Sequence, residues 1–226
     1  MTSARGPYRK SAKRKASADE RRKAIKMAAR PIFSDLGLDG ASVAAVVAAS
    51  DISTGTFYNY FGTTKAVFDD IMDDIVNDLV TITDDARKQA GSLNEMLFAA
   101  SYEFLKYMVQ QDLLPFLERN QHHVRDFLRV RESGERLLRG ISEDINRAVA
   151  DRGGVASGDL ILITQIVISN SIDAALTLWP RNMDDLSRAA NIITCLTVGG
   201  IDSLLRCYGS GAIAYELGIS DVSRDG

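Results

Sequence analysis

Histidine and cysteine occur only twice each among the 226 residues, and that scarcity removes most enzyme chemistry from consideration. No GxSxG, HExxH or phosphate-loop pattern is present, so nothing supplies an activated nucleophile, a zinc-binding helix or a nucleotide cradle. No catalytic residue, cofactor or metal site is expected. His122 and His123 are adjacent, and neighbouring helix positions diverge by about 100°, which does not make a ready metal pair. Cys195 and Cys207 fall in one expected helix, about 18 Å apart at roughly 1.5 Å per residue, too far to bond to each other. Both are expected to be buried thiols. No apolar run reaches the length needed to cross a bilayer, and the basic N-terminus has no apolar segment behind it. The expectation is a cytoplasmic protein without a membrane partner. Strand-like alternation and internal repeats are missing as well, and the periodicity is helical almost throughout.

What the chain does have is a hidden charge asymmetry. The formal net charge is −3, yet residues 1–65 hold 12 Lys and Arg against 5 acids, a net of +7, leaving 15 basic and 25 acidic residues beyond. A concentrated positive end is the electrostatic footprint of a phosphate binder. Residues 1–18 include Arg5, Arg9, Lys10, Lys13, Arg14 and Lys15 and lack apolar periodicity, so they read as a flexible basic arm. Such an arm is either simple disorder or a source of non-specific DNA affinity.

The positive end adjoins the segment Ser42 to Lys65. Ser42 can cap a short helix of small apolar residues from Val43 to Ala49; Ser50, Asp51 and Ile52 form a turn; Ser53 can cap a second helix over Thr54–Phe61. This is the helix-turn-helix plan, in which the second helix enters the major groove. Phe57 and Phe61, four apart, would share the core face. Thr54, Gly55, Thr56, Tyr58, Asn59 and Tyr60 are left outward or sideways, where hydroxyls, an amide and a side-chain-free glycine suit base edges and phosphates. Thr54, Thr56 and Asn59 are candidates for bases; Ser42, Ser53, Tyr58, Tyr60 and Lys65 are candidates for phosphates.

From Arg22 to Phe68 the chain resembles the DNA-binding domain of the tetracycline-repressor (TetR) family. The resemblance lies in Ile25, Ala28, Ala29, Ile32, Phe33 and Gly37, then Ser42-Val43 and Val46-Val47, and most specifically in Ile52–Phe61 with Lys65 and Phe68. Two departures stand out. Asp51 occupies the turn position where the family usually has glycine, although Asp tolerates a left-handed backbone better than most residues. Pro31 falls inside the first helix, where a kink near Met27–Pro31 is expected.

The resemblance implies an all-α protein with a three-helix helix-turn-helix DNA-binding domain at residues 19–62 and a helical ligand-binding and dimerisation domain at 63–226. Beyond the head, a fourth helix is expected over Thr63–Lys88. Its apolar side is Val67, Phe68, Ile71, Met72, Ile75, Val76, Leu79 and Ile82, and Asp69, Asp70, Asp73 and Asp74 read as a solvated face. Ser92-Leu93-Asn94-Glu95 reads as a capping box opening a fifth helix to about Gln111. A short sixth is expected over Leu113–Asn120, and a long seventh over 122–151, ended by Gly153-Gly154. Two very apolar helices, 157–179 and, capped by Asn182, 183–208, exceed what one buried face requires and point to a homodimer. Gly199-Gly200 would let backbones approach there.

The family also implies a ligand cavity among helices four to eight. Phe98, Tyr102, Leu105, Met108, Phe116, Phe127, Ile166 and Trp179 are candidate lining, with Asn120 and Arg125 among the polar groups, although each apolar residue equally suits a bundle core. Phe116–Asn120 resembles a segment of family members that sense fatty acyl compounds. The implied function is a ligand-responsive transcriptional regulator, usually a repressor, that binds a pseudo-palindromic DNA operator as a homodimer and is released by a small-molecule effector, apolar or acyl-type. The alternative is a helical protein-interaction module that has lost specific DNA binding.

Overall fold

Short hydroxyl side chains start the helices where spacing alone places them. In the computed structural model, which describes residues 7–150, 157–178 and 186–210 with side chains for 17–150, 159–177 and 186–206, the elements are α1 (Pro7–Gly40), α2 (Val43–Ser50), α3 (Thr54–Tyr58), α4 (Thr64–Lys88), α5 (Leu93–Gln110), α6 (Leu114–Arg119), α7 (Gln121–Val130), α8 (Glu132–Val149), α9 (Ser157–Leu178) and α10 (Leu186–Ser210). No strand occurs among the described residues. Ser42 Oγ accepts the Ala45 amide, Thr63 Oγ1 that of Ala66, and Ser92 Oγ that of Glu95. Each satisfies one donor that the first helical turn leaves free. Glu95 returns the favour one residue further out than a strict capping box, accepting from the Gly91 amide at 2.8 Å.

The chain divides into two compact units. One comprises residues 1–75 and 113–130, the other 76–112 and 131–226, and α4 contributes to both. The core of the first is aromatic. Phe33 meets Phe68 edge-on at 5.6 Å, and Phe68 stacks on Phe116 at 5.3 Å. Ile25, Ala29, Val46, Phe57, Phe61 and Val67 complete it, all essentially inaccessible. The second unit buries Leu93, Met96 and Leu97 of α5, Ile145 and Val149 of α8, Leu160, Ile163 and Val167 of α9, and Ile201 of α10. Within it Arg87 is buried but fully engaged, donating to Asp144 at 2.6 Å and to Thr83 at 2.7 Å, as a buried cation must be.

Several expectations are corrected. The backbone of α1 is already helical from Pro7, so residues 7–18 continue a helix instead of forming an irregular arm. Its break lies at Gly37 (φ 71, ψ 171), not near Pro31, which stays within the helix. Pro31 and Met27 face solvent, where water can take the hydrogen bond that the ring denies the preceding turn. The expected helix over 122–151 is two helices, with Arg131 extended between them (φ −94, ψ 143). That junction coincides with the boundary between the two units. Cys195 is exposed, and the side chain of Cys207 lies outside the described residues, as do Trp179, Asn182 and Gly153-Gly154.

One stretch, Asp159–Thr177, has the length and mean apolarity to cross a membrane, although polar residues interrupt it, and a third of it is buried within the chain. The core claims only one side of α9. Leu160, Ile163, Val167 and Ile172 point inward, while Ile161, Leu162 and Ile166 are each about half exposed.

Candidate nucleic-acid interface

The turn between α2 and α3 forms as the residues dictate. Asp51 takes the left-handed conformation (φ 51, ψ 41) that closes α2, a geometry Asp adopts more readily than most residues. Ser53 then opens α3, its Oγ accepting from the Thr56 amide at 3.1 Å and lying 2.8 Å from Thr56 Oγ1. One of these two hydroxyls donates to the other, so a single O–H of the pair remains to offer outward. α3 itself is shorter than the expected Thr54–Phe61 helix. It ends at Tyr58, with Asn59, Tyr60 and Phe61 turning back through bonds to the Thr56 and Phe57 carbonyls.

Phe57 and Phe61 are buried, their centroids 6.2 Å apart, and they pin one side of this short helix to the core. The side opposite is open. Thr54, Gly55, Tyr58 and Asn59 are exposed, and Thr56 and Tyr60 are half-buried. No atom other than Ser53 Oγ lies within 4 Å of where a Gly55 Cβ would stand, so the glycine meets open space and leaves the helix start thin on its outer side. Ser42 is exposed and, while accepting from Ala45, keeps its own O–H free to donate. Lys65, more than half exposed in the first turn of α4, pairs with Asp69 one turn on. Such exposed pairs exchange partners at little cost, so the ammonium is available to a phosphate.

The acids of α4 are more than a solvated face, although Asp74 itself stays exposed. Arg22 of α1 forks onto Asp70 at 2.7 and 2.9 Å and lies over the Phe61 ring at 4.7 Å, and Lys26 bonds both Asp70 and Asp74. The hydrogen bond from Arg22, joined by that from Lys26, holds the Asp70 carboxyl below its usual range against the opposing effect of burial. Burial works against the Lys26 ammonium, but its bonds to Asp74 and Asp70 prevail and raise its pKa. Two of the basic residues counted in the positive end therefore fasten α1 to α4 and are spent inside the unit. The four-residue spacing of both Arg22/Lys26 and Asp70/Asp74 is the signal in the sequence that matches one stripe to the other.

The candidate ligand residues are divided between the two compact units. Phe98, Tyr102, Leu105, Met108 and Ile166 belong to one compact unit, and Phe116, Asn120, Arg125 and Phe127 to the other. Asn120 is fully buried and already committed: it donates to the Phe33 and Phe116 carbonyls at 2.9 and 2.8 Å and accepts from the Leu38 amide at 2.7 Å. Its role is to hold the backbone on either side of Gly37. Phe116 is aromatic core, and Ile166 faces outward. Phe98 and Tyr102, stacked at 6.0 Å, remain half-buried.

Residues 25–71, which span α2, α3 and the locked start of α4, match the family described as bacterial regulatory proteins, tetR family. No curated protein matches the chain. Among solved structures it is similar to the fatty acid degradation regulator FadR of Bacillus halodurans, with 18% identity over 80% of this chain and 95% of that one and a TM-score of 0.63. It is likewise similar to FadR of Bacillus subtilis in complex with stearoyl-CoA (15% identity, 79% and 98% covered, TM-score 0.63) and to a tetR family transcription regulator from Shewanella (16%, 77% and 95%, 0.61). At these identities the likeness is one of fold, and it extends through the helices beyond the matched segment. The helix-turn-helix segment therefore matches the tetR family of bacterial regulatory proteins, and the chain shares the all-helical fold of these solved regulators.

Proposed function

We propose that this chain is a cytoplasmic transcriptional repressor that binds a pseudo-palindromic operator as a homodimer and releases it when a small-molecule effector, apolar or acyl-type, is bound. The observation that carries the reading is the α2–turn–α3 unit. Two serine-capped helices are joined by a left-handed Asp51, with Thr54, Gly55, Tyr58 and Asn59 exposed on the helix that would lie in the groove. Thr54, Thr56 and Asn59 are assigned to base edges, and Ser42, Ser53, Tyr58, Tyr60 and Lys65 to phosphates, which position the helix without reading sequence.

Dimerisation is supported by the outward apolar side of α9 and α10. Ile192 and Leu196, one turn apart, are exposed and continue into Gly199 and Gly200, at which an added Cβ would meet nothing. The proposed effector class takes support from the FadR–stearoyl-CoA structure. The effector must favour one arrangement of the heads over another, or no release follows. α4 is the covalent route for that preference, since it carries Lys65 at one end and residues of the other unit at the other.

The test is fluorescence anisotropy of the chain with labelled DNA from upstream of its own coding sequence, against random competitor and with and without stearoyl-CoA. Specific binding that the acyl thioester reverses supports the proposal. Equal affinity for both DNAs, or none, favours a helical protein-interaction module instead.

A further inference from the structure

Adjacent residues on a helix normally point apart, yet His122 and His123, in the first turn of α7, both reach Asp39 at the end of α1. His123 Nε2 lies 3.0 Å from Asp39 Oδ1, His122 Nε2 lies 3.3 Å from Oδ2, and the two rings are 3.8 Å centre to centre. One ligand atom from each of the three residues falls within 4.8 Å of the other two. The expectation that these histidines diverge is thereby overturned, because the carboxylate between them draws both rings inward.

We propose that Asp39, His122 and His123 form a binding site for a divalent transition-metal ion of the zinc type, which clips the end of α1 to the start of α7. Two imidazole nitrogens and one carboxylate are a donor set that suits Zn²⁺ and its first-row neighbours, whereas Mg²⁺ and Ca²⁺ favour oxygen donors throughout. With metal–ligand bonds of about 2.0–2.1 Å, the edge of a tetrahedron is about 3.3 Å, close to the two carboxylate–imidazole separations. To bind the ion each imidazole presents the lone pair of its Asp39-facing nitrogen, the proton lying on the other ring nitrogen.

The supports of the site are fixed and its outer side is open. Asn120, two residues before His122, is tied to the Phe33 carbonyl and the Leu38 amide, which sets the register of α7 against α1 just before Asp39. The His123 ring is mostly covered and meets the edge of Phe68 at 5.9 Å. Asp39 and His122 are largely exposed, so His122 can turn the small remaining distance onto the ion, and water completes the coordination. Asp126, one turn after His122, adds negative charge nearby; its carboxyl is held below the usual range, chiefly by a hydrogen bond from Arg129 and also by the two histidines. Asp39 also stands three residues before Ser42, the cap of α2, so an ion here would stiffen the entry to the helix-turn-helix.

The test uses the full-length, tag-free chain stripped with a chelator and titrated with Zn²⁺ by calorimetry, with Co²⁺ as a spectroscopic stand-in. The expected result is one ion per chain, a cobalt spectrum of nitrogen and oxygen ligands without thiolate charge transfer, and a rise in melting temperature on Zn²⁺ addition. His122→Ala/His123→Ala should weaken binding by about 100-fold and Asp39→Asn by about 10-fold, each abolishing most of the thermal shift. Cys195→Ser/Cys207→Ser should change neither. If the double histidine variant is not folded by circular dichroism, Asp39→Asn, an exposed substitution, decides alone. Undiminished zinc affinity in folded variants, a thiolate band, or no ion bound at about 100 μM would overturn the site.

Discussion

Single residues at the head fall into those whose task is local and those whose task depends on a distant partner. Ser42, Ser53 and Asp51 are of the first kind. Capping and left-handed tolerance depend only on neighbours within four residues, so both helix starts and the turn are legible in the sequence. Asn120, the two histidines and Asp70 are of the second kind. Two of the three partners of Asn120 are 82 and 87 residues away, and no spacing rule connects them. Replacing Asn120 with Ala would remove its bonds to the buried Leu38 amide and Phe33 carbonyl, so chemical denaturation should show a loss of about 3 kcal/mol. A loss within experimental error would mean that the backbone around Gly37 holds without it. Lys65→Ala should weaken binding to every DNA sequence alike and flatten its salt dependence, whereas Thr56→Val should change the ranking among sites in a selection from random fragments. Identical effects of both on specific and random DNA would dissolve that division of labour.

At the scale of elements, helix existence is legible in the sequence and helix interruptions are not. Both compare two costs that a sequence shows only in part: Pro31 removes one donor on an exposed face, where water compensates, while Gly37 bends the chain because its φ of +71 is needed to bring the Leu38 amide to Asn120. An added Cβ at Gly37 would suffer the left-handed backbone and approach the Arg119 carbonyl to 3.3 Å. Gly37→Ala should therefore destabilise the head by about 1–2 kcal/mol, seen as a lower melting temperature, while Pro31→Ala should leave it equal or higher. The α1–α4 lock has a pH signature. The folded pKa of Asp70 is lowered, so its contribution is present above the unfolded value of about 3.9 and fades as pH falls through the lower folded value. Melting curves from about pH 5 to pH 2 should show an acid-dependent loss that Asp70→Asn reduces. An unchanged profile would assign that loss to other carboxylates.

For the whole molecule, the composition of the last two helices carries more information than their periodicity. Apolar residues on both sides make α9 long and apolar enough for a membrane span, yet the same pattern arises when one side packs inward and a second copy covers the other. The two readings differ in what they require of α10. A membrane span needs no partner helix, whereas a two-fold interface needs a matching exposed stripe, and Ile192, Leu196, Gly199 and Gly200 form one at successive turns. Charge placed there should therefore separate assembly from folding. In Ile166→Glu/Leu196→Glu, both side chains are already outside the core, so helical content should be retained while light scattering falls from the mass of a dimer to that of one chain. Each isolated head would then meet only half of a palindrome, and the joint affinity for the operator should drop by at least about 100-fold, while weak, salt-sensitive binding to random DNA persists. A variant that stays dimeric would place the interface elsewhere. One that becomes monomeric yet keeps full operator affinity would remove the reason for two-fold symmetry from the account of DNA binding.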